Sequence, residues 1–121
     1  MRTAYKFGKY EYNEHNVCRN PDMIQIDKYT GIKVAQCDED KWVYGYNAYM
    51  ASSPCMRDVM VCETRERAVL LALEALRYAL IASAKWYKIM EYKADYNRTR
   101  TTIAGVEQKL IGLSMRQLEL F

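Results

Sequence analysis

Polar and apolar residues alternate through the first half of the chain, and the period turns helical in the second. Tyr5 and Phe7 share one parity and Tyr10 and Tyr12 the other. The phase therefore slips at Gly8-Lys9, where a bulge or tight turn fits. Residues 13–22 are polar and include Asn20-Pro21-Asp22, which reads as a loop. Two short runs, 23–27 and 32–37, flank Lys28-Tyr29-Thr30-Gly31, and their β-branched content and turn glycine predict a hairpin. Asp38-Glu39-Asp40 is a solvated turn. In residues 42–50, Trp42, Tyr44, Tyr46, Ala48 and Met50 fall on one face, and Val43, Gly45, Asn47 and Tyr49 on the other. Ala51-Ser52-Ser53-Pro54 breaks this strand, and residues 59–62 can form one more.

Thr64 is placed to cap a helix, although Arg67 stands where a full capping box has glutamate. Beyond it, Ala68, Val69, Leu71, Ala72, Leu73, Ala75, Leu76, Ala79 and Leu80 leave only a narrow polar stripe through Arg67, Glu74 and Arg77. Such a helix packs on two sides, against a sheet and against other helices or a second copy of the chain. The helical pattern continues through Trp86, Ile89, Met90 and Tyr96, with or without a kink. Residues 97–102 (NRTRTT) read as a break, and a shorter helix follows with Ile103, Val106, Leu110 and Leu113 on one face. Gly112 and Ser114 weaken its end. The expected fold class is α+β, an antiparallel sheet of four to five strands with a long helix or helical hairpin packed on it. Residues 1–98 form that domain, with strands within 3–62 and the long helix at 65–96. Residues 99–114 form the short helix and 115–121 a flexible tail.

Composition narrows the class. At 121 residues and 50% hydrophobic, the chain suits a single domain burying about two-thirds of its unfolded surface. No apolar run is long enough to span a membrane, and the N-terminal stretch lacks a signal-peptide core, so a cytoplasmic location is expected. Cys18, Cys37, Cys55 and Cys62 form no CxxC pair and are expected to be free thiols, with Cys62 buried. His15 and Cys18 are spaced H-x2-C, but the tight ligand pairs of structural zinc are missing, so no metal or cofactor is expected. The net charge is +3: residues 1–84 hold 11 basic and 11 acidic side chains, and residues 85–121 seven basic and four acidic. One histidine and five glycines leave little for acid–base or phosphate-loop chemistry, so the protein is not expected to be an enzyme.

Two surfaces could bind partners. Trp42, Tyr44 and Tyr46, with Arg98 and Arg100 in the basic last third, could serve as a stacking platform for single-stranded nucleic acid. The same aromatic row also suits a sheet covered by a helix. A protein-inhibitor module of the kind mobile elements carry, using sheet or helix as interface, is a further alternative.

The chain closes on Gln117-Leu118-Glu119-Leu120-Phe121. QLELF closely resembles the motif by which bacterial replication and repair proteins dock on the β sliding clamp, whose preferred form is Q-L-[S/D]-L-F. Gln117, Leu118, Leu120 and Phe121 match outright, and Glu119 departs from Ser or Asp while staying acidic. Four fixed residues coincide with a chance of about 10⁻⁵ at any one site. The resemblance implies that the glutamine bonds a polar sub-site while the last leucine and phenylalanine enter an apolar pocket. It says nothing about the body of the chain. The expected function is a small non-catalytic accessory protein of bacterial, phage or plasmid origin that docks on the clamp, with a homodimer through the long helix as a possible assembly.

Overall fold

A computed structural model describes residues 2–119, with side chains through residue 115. The elements run β1 Tyr5–Phe7, β2 Tyr10–Tyr12, β3 Asp22–Gln25, β4 Gly31–Asp38, β5 Lys41–Asn47, β6 Ser52–Ser53, β7 Val61–Cys62, α1 Arg65–Ile89 and α2 Lys93–Glu119. The fold is α+β, with antiparallel pairing throughout.

β1 and β2 form a two-stranded hairpin whose turn carries Gly8 at φ +57, a left-handed conformation that glycine adopts without strain. The slip at Gly8-Lys9 is thus a turn. The main sheet has the order β3-β4-β5-β6, with β7 also paired to β5. β6 and β7 share one edge of β5, opposite Tyr46–Asn47 and Trp42–Val43 respectively. Between them the chain passes so close to β5 that a side chain at Gly45 would strike the carbonyl of Ser53 and the backbone of Pro54.

Both faces of the main sheet are covered. On one, Ile32 joins Leu73, Leu76, Leu80 and Ala84 of α1 and Ile103 and Val106 of α2, with Tyr44, Tyr46 and Ala48 packed against them. On the other, Ala35, Cys37 and Val43 meet Tyr10 and Tyr12 of the hairpin together with Cys18 and Cys55. The Tyr12 hydroxyl donates to the Gln36 carbonyl at 2.8 Å and the Tyr5 hydroxyl to the Cys37 carbonyl at 2.7 Å. The molecule therefore has three layers: hairpin, sheet and helices.

Thr64 caps α1 as its position predicts, its hydroxyl accepting from the Arg67 N–H at 3.1 Å. The helix ends earlier than expected. Glu91 takes φ +61, and the N–H groups of Glu91 and Tyr92 return to the carbonyls of Lys88 and Tyr87. This crossed pair is a Schellman cap, with Tyr92 packing on Trp86 and Tyr87. α1 and α2 thus form a helical hairpin, and the expected break at 97–102 is not there. The hydroxyls of Thr99 and Thr101 bond to carbonyls four residues back, at 2.7 and 3.1 Å, and Arg98 pairs with Asp95 at 2.9 Å. Burial of Ile103 and Val106 in the core outweighs the weak helix propensity of Thr and Asn.

The backbone of α2 also continues past Gly112 and Ser114 to Glu119. Neither residue brings the left-handed turn or proline that stops a helix; glycine in a helix interior costs only about 1 kcal/mol. Among the described residues no helix is long and apolar enough to cross a membrane.

Candidate functional site

The two groups of sequence-derived residues fall at different places, and the aromatic group is not assembled. Tyr44 and Tyr46 pack beneath the helices. Trp42 leaves their row, meeting Tyr10 edge-on with ring centres 5.9 Å apart. It sits opposite Gln36, beside the register shift between Gln36 and Asp38, where a bulge can re-aim side chains. Arg98 and Arg100 lie on α2. Arg100 donates to the Tyr96 hydroxyl at 2.9 Å, and Arg98 stacks over Tyr49 at 4.4 Å. The five residues thus form no common open platform.

The cysteines and His15 are likewise structural or peripheral. Cys18, Cys37 and Cys55 are buried free thiols, whereas Cys62 is half-buried at its sheet edge instead of buried. Burial raises all four, pushing Cys55 up to about 12. Neutral thiols of this kind are poor nucleophiles. His15 is exposed and lies 3.6 Å from Glu14. Among the described residues no three His, Cys, Asp or Glu side chains are grouped to hold a metal ion.

One concave site was not read from the sequence. A cavity of about 240 Å³ opens between the β3–β4 turn, residues 48–50, the C-terminal part of α1 and the N-terminal part of α2. Asp27 and Thr102 meet at its wall, the threonine hydroxyl donating to the carboxylate at 2.5 Å across 75 residues of sequence. Burial alone would raise the Asp27 carboxyl, but hydrogen bonds from Thr102, the Tyr29 N–H and Thr30 outweigh it and hold the group below the usual carboxylate range. Asp27 is therefore ionised at neutral pH and anchors the turn to α2. Tyr87, 3% exposed, lines the same cavity with its hydroxyl buried and without a hydrogen-bond partner among the described residues. Burial and the nearby Asp95 carboxylate raise its pKa, while Arg98 stands close by and opposes them without bonding it in good geometry. The pairing of Asp27 with Thr102 has no local sequence signal, and Tyr87 is hidden beside Trp86. The helical pattern favoured Trp86, yet it is 45% exposed.

The remaining candidate is the far end of α2. Leu110 and Leu113 are its last side chains seen against the core; Ile111, Gly112, Ser114 and Met115 are exposed. The pentapeptide starts four residues beyond Leu113, on helical backbone through Glu119. The side chains of Gln117 and Leu118, and all of Leu120 and Phe121, lie outside the described residues. No protein-family model, curated protein or solved structure matches the chain.

Proposed function

We propose that this protein is a non-catalytic accessory factor that docks on the bacterial β sliding clamp through Gln117, Leu118, Leu120 and Phe121. The observation that carries the reading is the QLELF match itself. The position of the motif supports it, because the turn of α2 that precedes it is exposed beyond Leu113. Burying Leu118, Leu120 and Phe121 contributes about 1.5–3 kcal/mol each. Ordering the segment and losing free motion offset much of that, which leaves affinity in the micromolar range.

Docking by so short a segment leaves the three-layer body free to carry a second interaction, and either recruitment to the clamp or occlusion of it follows from the same contact. The reading is tested by immobilising a bacterial sliding clamp and flowing the full chain over it. Saturable micromolar binding that a free QLELF peptide displaces supports docking. Absence of binding, or binding that excess peptide leaves untouched, rejects it.

A further inference from the structure

The face of α1 turned away from the rest of the molecule is the strongest unassigned surface. Leu73, Leu76, Leu80, Ala84 and Tyr87 point to the core. On the opposite side run Leu71, Ala75, Tyr78, Ala82 and Ile89, at steps of four, three, four and seven. That is the spacing of a coiled-coil seam, with Lys85 in the one missing position. Tyr78 is 79% exposed and Ile89 77%, Ala82 is exposed, and Leu71 and Ala75 are half-buried. Among the described residues, neither the sheet nor α2 covers Tyr78, Ala82 and Ile89 of this strip, which is about 27 Å long at 1.5 Å per residue. An isolated apolar residue in water needs no explanation, but a row in heptad register with one interruption does.

We propose that a second copy of this chain covers the row, with the two α1 helices antiparallel about a twofold axis between Tyr78 and Ala82. In that register Tyr78 of one copy lies over Ala82 of the other, and Leu71 over Ile89. Ala75 meets the aliphatic stem of Lys85, whose ammonium reaches solvent. In the four inner layers a large side chain thus faces an alanine, which is how facing helices interdigitate, and Leu71 and Ile89 close the two ends with paired large apolar groups. The flanking charges select the same arrangement. Glu74 and Lys88 occupy equivalent flanking positions, both are exposed, and neither joins an ion pair among the described residues. An antiparallel pair sets Glu74 of each copy opposite Lys88 of the other, twice per dimer. A parallel pair would stack Ala75 on Ala75 and Ala82 on Ala82, leaving gaps and bringing no opposite charges together.

A seam of about three heptads is at the small end of specific interfaces, so association in the micromolar range is expected. Sedimentation velocity of the full chain, from low to high micromolar concentration, tests the proposal without any clamp present. Its outcome is therefore independent of the docking reading.

The wild-type chain should sediment as a concentration-dependent dimer. Ala82→Glu and Tyr78→Glu should leave a monomer with unchanged circular dichroism, since both positions are exposed in one copy. Glu74→Lys and Lys88→Glu should each weaken the dimer by about tenfold, and the double reversal should recover most of the loss. A chain that stays monomeric throughout overturns the proposal. So does a dimer that survives Ala82→Glu, or charge reversals that do not rescue each other.

Discussion

Tyr12 and Tyr87 are both buried, and their hydroxyls fare differently. Tyr12 donates to the Gln36 carbonyl, whereas Tyr87 has no partner among the described residues. A hydrogen bond of this kind nets about 1 kcal/mol, and a buried polar group without one costs about 1–3 kcal/mol. Tyr12→Phe should therefore destabilise the fold by about 1 kcal/mol, while Tyr87→Phe should be neutral or stabilising. Urea unfolding of the two variants separates these outcomes, and a Tyr87→Phe that costs more than Tyr12→Phe contradicts the structure.

The buried thiols add a pH dependence. Burial raises the folded-state pKa of Cys18, Cys37 and Cys55. A raised pKa contributes stability that is complete below the unfolded thiol value of about 8.5, and it is lost as pH rises through the folded value, about 12 for Cys55. Stability should thus fall from mildly alkaline pH upward, and Cys55→Ala should flatten part of that slope. A pH series of unfolding midpoints flat across this range would contradict the buried, free-thiol description. Spacing alone indicated thiols without close partners. It could not indicate that Cys18 and Cys55 line the layer beneath the hairpin, because that layer is assembled from separated segments.

Among the elements, those set by local chemistry were legible in the sequence. The Thr64 cap, the Gly8-Lys9 turn and the hairpin around Lys28–Gly31 each carry their own signal within a few residues. The join between the helices carries none. Its left-handed position is held by Glu91, where glycine is the usual residue, and a side chain there costs about 1–2 kcal/mol. Glu91→Gly should accordingly raise stability by about 1 kcal/mol, seen as a higher midpoint in thermal unfolding. A loss of stability would mean that Glu91 makes a favourable interaction outweighing this strain. The 97–102 stretch misled for the opposite reason. Its residue types have weak helix propensity, but the Thr102 bond to a carboxylate 75 positions away and the burial of Ile103 and Val106 in the core hold it helical.

For the molecule as a whole, alternation in the strands revealed a sheet with a helical layer. It did not reveal that the other face is also covered, because an aromatic hairpin reads the same whether it extends a sheet or lies across it. The candidate cavity was invisible for a related reason, since its walls come from four separate stretches of chain. The QLELF segment behaves oppositely, since its resemblance to the clamp-docking motif is wholly local and is read without any fold. The central claim is that Leu120 and Phe121 anchor this contact without contributing to the stability of the fold. It is tested most directly by calorimetric titration of a bacterial sliding clamp with the wild-type chain and with Leu120→Ala/Phe121→Ala. Each truncation removes a contact worth about 1.5–3 kcal/mol, so the double variant should bind at least about a hundredfold more weakly. Its unfolding midpoint should be unchanged. No heat from the wild-type chain at high micromolar clamp, or a double variant that unfolds, would contradict the account.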